Sequence, residues 1–292
     1  MRKQSGVAII LVLWVTVLLT VIASSFALSA RVEGVQAKMV FDTTKARYLA
    51  EAGLHRAVYE LRNPDPDSRW MADGRKYEME FGGAKIEIKI TDETGKIDIN
   101  LANEELLTGL FASLGMSDDE ASTLAQRVID WRDNDNIKGF DGAEDEDYES
   151  EGYAYGAKDA LFDTVPELQQ VMGVSYEMYR QLEDAITVYS GSRNINLAYA
   201  GERALMALDG VEREDARQFI EEREQTEKGD ALPLLPNGQT STARGGGVAF
   251  SIVAKATLSN GHWAELDATI RLGGTVNGRP FRIMRWRDNE HI

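Results

Sequence analysis

The chain has 292 residues, 43% hydrophobic and 27% charged, which suits one or two globular domains. Its formal net charge of −16 argues against nucleic acid as a partner, because phosphate binding requires basic surfaces. With no cysteine and only three histidines, disulfides and thiolate metal sites are excluded, and a histidine-based zinc site is not expected.

The first segment is an uncharged apolar run from Gly6 to Ala30 that follows a short basic start. About 20 apolar residues cover the hydrocarbon core of a bilayer, so this run is long enough to span a membrane. "FALSA" offers a secretory cleavage site after Ala30, although the apolar region is long for a signal peptide. An uncleaved signal anchor is a second interpretation and would place everything after Arg31 outside the cytoplasm.

The polar residues that follow do not interrupt the helical pattern. Apolar residues recur at spacings of three and four from Val35 to Leu61, and no proline occurs before Pro64. The sequence therefore predicts one helix from about Val7 to Leu61, which is apolar on all sides in residues 7–30 and amphipathic afterwards.

Alternating apolar residues predict strands on both sides of a central region. "KYEMEFGGAKIEIKITDE" predicts a β-hairpin with its turn at Gly82-Gly83. Two further alternating runs, at 248–258 and 262–272, are joined by Asn260-Gly261, a strong hairpin signal. "FRIMRW" at 281–286 predicts an additional edge strand.

Between residues 99 and 235 the pattern is helical, without strands, and it repeats. "INLANEELLTGLFASLG" and "INLAYAGERALMALDG" each predict a helix and a glycine turn, at Gly115 and Gly210, before a second helix. A third, partial copy surrounds Gly173. Helix, glycine turn, helix is also the outline of some DNA-binding units, but the acidic charge favours a structural or protein-binding use.

Residues 130–151, "DWRDNDNIKGFDGAEDEDYESE", contain ten acidic and two basic residues, a local charge of −8. Crowded carboxylates repel one another, and a bound cation relieves that repulsion. Oxygen ligands without Cys or His nearby favour calcium over zinc. The expected ligands are Asp133 and Asp135 on one side and Glu144, Asp145 and Asp147 on the other, with Asp130 and Asp141 as further candidates.

Other interpretations of this acidic loop remain open. It is not an EF-hand, since Ile137 and Lys138 stand where that loop needs a ligand and a glycine. A solvated loop without an ion is the simplest alternative. Paired acids also hydrolyse glycosides beside stacking aromatics such as Trp131 and Tyr148, but crowded acids without an apolar wall suit ligands better. No nucleophile motif or phosphate-binding loop is found, so an enzyme is not predicted.

A helical block between strands of one sheet, after a basic leader that ends in glycine, resembles the K-type minor pseudopilins of the type II secretion system. The resemblance spans nearly the whole chain. It rests on "KQSGVAIILVLWV", "DETGKIDINLAN", "VIDWRDNDN…GAEDEDY" and "LFDTVPELQQVMGVS", in this order and spacing.

The resemblance implies an α+β fold. A long N-terminal transmembrane helix packs on a small antiparallel sheet, as in pilins, and a large all-α domain of helix-turn-helix repeats is inserted between strands. The implied segments are a leader (1–6), the transmembrane half of the helix (7–30), the amphipathic helix and first hairpin (31–98), the helical domain with the acidic loop (99–235) and the C-terminal strands (236–292).

The resemblance also implies processing, location and partners. A prepilin peptidase would cut between Gly6 and Val7, leaving a single span in the lipid of the inner membrane and the body in the periplasm. The family binds calcium in its helical domain, joins I- and J-type minor pseudopilins at the tip of the pseudopilus, and supports export of folded proteins. Leu11 stands where most pilins have a glutamate that pairs with a neighbouring subunit, which suits a subunit at the tip. The alternative is a membrane-anchored, calcium-dependent periplasmic binding protein.

Overall fold

The computed structural model describes residues 6–65, 67–226, 230–240, 246–276 and 279–290. Its helices are α1 (Gly6–Leu61), α2 (Glu104–Ala112), α3 (Asp118–Arg132), α4 (Asp145–Ser150), α5 (Tyr176–Leu182), α6 (Glu202–Met206) and α7 (Arg213–Gln225). Its strands are β1 (Asp73–Phe81), β2 (Ala84–Asp92), β3 (Ile97–Asp98), β4 (Ile186–Thr187), β5 (Ala249–Leu258), β6 (Trp263–Val276) and β7 (Arg279–Glu290).

Helix α1 is continuous over 56 residues, as the apolar periodicity predicts. Its side chains are exposed from Val7 to Phe41. Asp42 accepts from Asn260 in the β5–β6 turn, and apolar side chains from Ala46 to Leu61 pack on the sheet. Gly53 allows the closest approach, since a Cβ at this position would lie 2.8 Å from Ile86. The helix is long and apolar enough to cross a membrane, judged by length and composition.

The main sheet is antiparallel, with strand order β1-β2-β5-β6-β7. The predicted hairpins at Gly82-Gly83 and Asn260-Gly261 are confirmed, and the last strand lies at the edge as predicted. One face packs on α1 through apolar side chains, while the opposite face has polar residues such as Ser251, Asp267 and Thr269. The first hairpin and the C-terminal strands therefore form one layer although the helical region separates them in sequence.

The inserted region has its own apolar core, built from α2 to α7. The expectation that this region has no strands is wrong, because β4 lies inside it and pairs in parallel with β3. Ile97 on β3 and Ile99 both belong to the helical core, so the core begins slightly before the predicted boundary at residue 99. Two-residue strands leave no alternating pattern, which is why the sequence does not reveal them.

The repeated units use the same turn and the same anchor. Gly115 and Gly210 both adopt positive φ, at +89° and +69°, a conformation that suits glycine. At the end of the second helix in each unit, an arginine donates to two backbone carbonyls of the segment that opens the unit. Arg132 donates to the Ile99 and Ala102 carbonyls, and Arg223 donates to the Leu197 and Ala200 carbonyls.

Polar contacts centred on Glu93 and Arg287 help to attach the helical domain to the sheet. The buried Glu93 carboxylate accepts hydrogen bonds from Ser251 on β5 (2.6 Å), from Lys96 (2.7 Å) and from Thr187 on β4. Burial raises the pKa of Glu93, but Lys96 and the two hydroxyls hold it below its usual range. At the sheet edge, Arg287 bridges Asp267 and Glu183, which lies just after α5.

Candidate functional site

The N-terminal processing site lies at the start of the described helix. Gly6 begins α1 and Val7 follows it, while the predicted leader residues 1–5 lie outside the described residues. Cleavage between Gly6 and Val7 therefore stays a prediction. Leu11 is exposed on α1, in the part of the helix that precedes the residues packed on the sheet.

The acidic loop connects two helices that position its ends. The side chain of Ser117 begins α3 through a capping box with Glu120, and Asp133 follows the last turn of α3. The loop then runs to α4, where Glu144 precedes the first turn and forms a second capping arrangement with Asp147. At the loop ends, the amide of Asp133 donates to the Ile129 carbonyl and the amide of Glu144 donates to Asp147, so both ends are held by hydrogen bonds at helix termini.

Glu144 is the central carboxylate of the loop. Its side chain is 6% exposed, and neither carboxylate oxygen has a hydrogen-bond partner. One buried oxygen of Asp133 and one of Asp159 also have no partner. Burial, reinforced by the neighbouring Asp130, Asp133 and Asp159, raises the pKa of Glu144 to about 7. Buried carboxylate oxygens without donors are costly, and a cation removes that cost.

Asp159 is a member of this group that the sequence interpretation missed. It lies outside residues 130–151, and its φ of 53° is unusual for a residue other than glycine. Burial and the charges of Asp145 and Asp135 raise its pKa. In the sequence, Asp159 is only one more acidic residue, shortly after Tyr153 and Tyr155. The tertiary fold brings it beside the loop.

Two glycines allow the backbone to approach the carboxylates closely. A Cβ at Gly156 would lie 1.7 Å from an oxygen of Asp145, and one at Gly142 would lie 1.8 Å from an oxygen of Asp130. Neither position can accept a side chain without moving the carboxylate. The backbone therefore packs directly against the carboxylates of Asp145 and Asp130.

Three of the other predicted ligands, Asp130, Asp135 and Asp147, have protein partners. Asp130 accepts from the amides of Gly139 (3.1 Å) and Ala143 (2.9 Å). Asp135 accepts from the amide of Ile137, while Asp147 accepts from Lys138 (2.5 Å) and from the amide of Glu144 (3.0 Å). Asp141 is exposed with a positive φ of 59°. The structure thus groups Asp133, Glu144 and Asp159 most clearly, while Asp130 and Asp147 already hold the loop together.

The donor chemistry of this group suits a hard cation, since every unpartnered atom in it is a carboxylate oxygen. In the part of the chain that is described, no three acidic or histidine side chains are arranged to hold an ion as they stand. Binding an ion would require these carboxylates to move toward one another. The predicted ligand set stays a prediction.

Two of the aromatic residues in the loop region, Trp131 and Tyr148, pack inward. Trp131 is 2% exposed and donates to Glu167 at 3.2 Å. Tyr148 is fully buried, so neither face of its ring contacts solvent. Its hydroxyl accepts a hydrogen bond from the Met172 amide. These two rings are therefore not accessible to a sugar, whereas Tyr153 and Tyr155 are 37% and 42% exposed.

Comparisons with known proteins agree with the fold. Residues 89–191 match the family model described as type II secretion system (T2SS), protein K. The type II secretion system protein K of Pseudomonas aeruginosa is 26% identical, with coverage of 76% of this chain and 73% of the relative. The protein of the same name from Klebsiella pneumoniae is 24% identical, with 83% and 84% covered.

The structure is also similar to a chain in the crystal structure of the GspK-GspI-GspJ complex from enterotoxigenic Escherichia coli. The TM-score is 0.64 at 16% identity, over 88% of this chain and 100% of the other. The similarity in fold therefore extends over most of this chain. In sequence the chain is therefore similar to proteins named type II secretion system protein K, and in fold it is similar to a chain of the GspK-GspI-GspJ complex.

Proposed function

We propose that the chain forms the tip of the periplasmic pseudopilus, together with I- and J-type minor pseudopilins, and supports export of folded proteins across the outer membrane. Helix α1 would anchor it in the inner membrane by a single span, with the body in the periplasm. The similar structure, which is titled a GspK-GspI-GspJ complex, supports the choice of partners.

The observation that favours the tip is Leu11. If Val7 is the first mature residue, Leu11 is the fifth, where most members of the pilin class have a glutamate that pairs with a neighbouring subunit. An unpaired carboxylate within lipid is costly, so that glutamate favours docking onto an existing filament. A chain without this glutamate does not need a neighbouring subunit to pair with it. The inserted helical domain adds bulk that would obstruct further stacking on this head.

The mature N-terminus tests the processing step. Cleavage by the prepilin peptidase predicts a chain that begins at Val7, with N-methylation, when the membrane-extracted protein is measured by mass spectrometry. Retention of Met1 would instead support an anchored binding protein, and a chain that begins at Arg31 would indicate ordinary secretion. Either result would contradict the proposed processing.

Cross-linking tests the position in the filament. The chain contains no cysteine, so single-cysteine variants at exposed positions of α1, such as Val35 and Tyr48, give unambiguous cross-links. We expect adducts with the I- and J-type subunits alone. Adducts with the major pseudopilin at many positions along the shaft would contradict a tip location.

We also propose that the acidic loop binds calcium through Asp133, Glu144 and Asp159, with Asp135 and Asp145 completing the set. The partnerless oxygens of the first three residues support this choice. A bound Ca²⁺ would neutralise the crowded carboxylates. The bound ion would then connect the loop between α3 and α4 to the segment that contains Asp159.

Calorimetry and thermal unfolding of the full chain in detergent test the calcium site. At a free Ca²⁺ concentration of 100 times Kd, binding adds about 2.7 kcal/mol to the free energy of unfolding, and Mg²⁺ adds less. Glu144→Gln and Asp159→Asn should each weaken binding, whereas Glu146→Gln, on the exposed side of α4, should not. The proposal fails if neither ion binds and a chelator leaves the melting temperature unchanged.

A further inference from the structure

Two large apolar side chains project from the acidic loop into solvent. Ile137 is 77% exposed and Phe140 is 87% exposed. They lie three residues apart, and we call this pair the apolar tip. Neither residue belongs to the helical core. Exposed bulky side chains of this kind mark interaction sites more often than scattered single apolar residues do.

The backbone around the apolar tip is fixed by hydrogen bonds. The amide of Ile137 donates to Asp135 at 2.9 Å, and the amide of Gly139 donates to Asp130 at 3.1 Å. Lys138, between them, donates to Asp147 at 2.5 Å. The side chains therefore point outward from a fixed loop, and their exposure does not result from a lack of local contacts.

The rim of the apolar tip is acidic. Asp135 and Asp141 flank the tip in sequence and are both exposed, while the charge of Lys138 is paired with Asp147. The surrounding residues 130–151 have a charge of −8, so one bound Ca²⁺ would leave the segment strongly negative. An anionic lipid surface repels such a rim, whereas lysine and arginine side chains are attracted to it.

We propose that the apolar tip inserts into an apolar pocket of a partner protein whose rim carries lysine or arginine side chains. Phe140 and Ile137 supply the buried contact, and the exposed Asp141 orients it by charge complementarity. The inference rests on the proposed periplasmic location of the head but does not require the calcium site, because hydrogen bonds within the loop already fix the tip.

Photo-cross-linking in cells tests this surface. The full chain carries p-benzoylphenylalanine at position 140 or, as the control, at position 176, since Tyr176 on α5 is also an exposed aromatic residue at 67%. We expect a protein adduct from position 140 alone. Mass spectrometry should map it to an apolar site flanked by lysine or arginine, and replacing those basic residues with glutamate should lower the adduct yield by about tenfold or more.

Several outcomes would overturn the proposal. These are no adduct above the Tyr176 control, an adduct with phospholipid, and a protein adduct at a site without basic residues. An adduct yield that is unchanged by the charge reversals would also overturn it.

A second set of variants separates this surface from folding and assembly. The double substitution of Ile137 and Phe140 by serine should lower secretion of an exported protein, whereas Tyr176→Ser should leave secretion unchanged. The α1 cross-links to the I- and J-type subunits and the Ca²⁺ affinity should both be retained. Loss of those cross-links would attribute the defect to assembly and contradict the proposal, while loss of processing at Val7 would contradict the proposed function itself.

Discussion

Glu144 is the residue whose placement says most about the helical domain. A carboxylate this deeply buried, with neither oxygen hydrogen-bonded, is unfavourable in its ionised form. Protonation of Glu144 and binding of a cation both remove the cost of this buried, unpaired charge. The stability of the domain should therefore respond to both pH and metal.

The pH dependence follows from the pKa of about 7 for Glu144. This lies above the value of about 4.3 for an unfolded chain, so the folded state holds an extra proton between these values and the free energy of unfolding falls as pH rises through them. With a chelator present, we expect the wild type to lose about 2 kcal/mol between pH 5 and pH 8. Glu144→Gln should abolish most of this loss in thermal unfolding followed by circular dichroism. The exposed Glu146→Gln serves as the control, and parallel profiles for wild type and Glu144→Gln would contradict the assignment.

Arg223 is the second residue with a clear energetic role. It is buried and donates to the carbonyls of Leu197 and Ala200, and burial lowers its pKa. Arg223→Ala leaves both carbonyls without this donor, so we expect a loss of about 3 kcal/mol in urea unfolding. Arg213→Ala removes only an exposed pair with Glu202 and should cost less than about 1 kcal/mol. Equal losses would show that Arg223 does not anchor its repeat.

At the scale of elements, the repeated glycine turns were predictable and their anchors were not. Glycine after an amphipathic run indicates a helix end, and Gly115 and Gly210 confirm this with positive φ. Arg132 and Arg223 look like ordinary charged residues near helix ends. Only their packing against the opening segment of each unit reveals the shared contact, because hydrogen bonds to distant carbonyls leave no local pattern.

The contact between α2 and α6 gives an element-scale prediction. Gly109 lies on α2, where alanine would normally stabilise a helix by about 1 kcal/mol. Here a Cβ would lie 2.0 Å from the carbonyl oxygen of Ala207, which is backbone and cannot move aside easily. We expect Gly109→Ala to destabilise the protein by about 2 kcal/mol or more in urea unfolding. Gly34→Ala, on α1 with nothing within 4 Å, should be neutral or slightly stabilising, and the same sign for both would contradict the close contact.

At the scale of the whole molecule, the sequence predicted the long helix, both hairpins and the insertion of a helical region. It did not place Asp159 beside Glu144, and it did not reveal the pairing of β3 with β4. Both depend on contacts between segments far apart in the chain. Residues that act together through tertiary packing share no spacing, so periodicity and charge runs cannot identify them.

Deletion of the insertion tests the independence of the sheet. The face turned toward the helical domain has polar residues such as Ser251 and Thr269, so exposing it creates no large apolar patch. Asp92 and Phe250 are register partners, so a short turn can join them in a variant that lacks the helical domain. We expect this variant, with α1 retained and in detergent, to keep the β-sheet amide signals in NMR. Aggregation or loss of these signals would show that the sheet needs the helical domain to fold.

The pairing of β2 with β5 has a consequence for the order of folding. These neighbouring strands are separated in sequence by the whole helical domain, and closing such a loop from an unfolded chain is slow. The folded domain shortens the effective loop, because the Gly247 amide donates to Asp92 at 2.7 Å where the domain leaves and re-enters the sheet. We therefore expect the helical domain to fold before the sheet closes. During export of the chain the sheet would remain open until its C-terminal strands arrive.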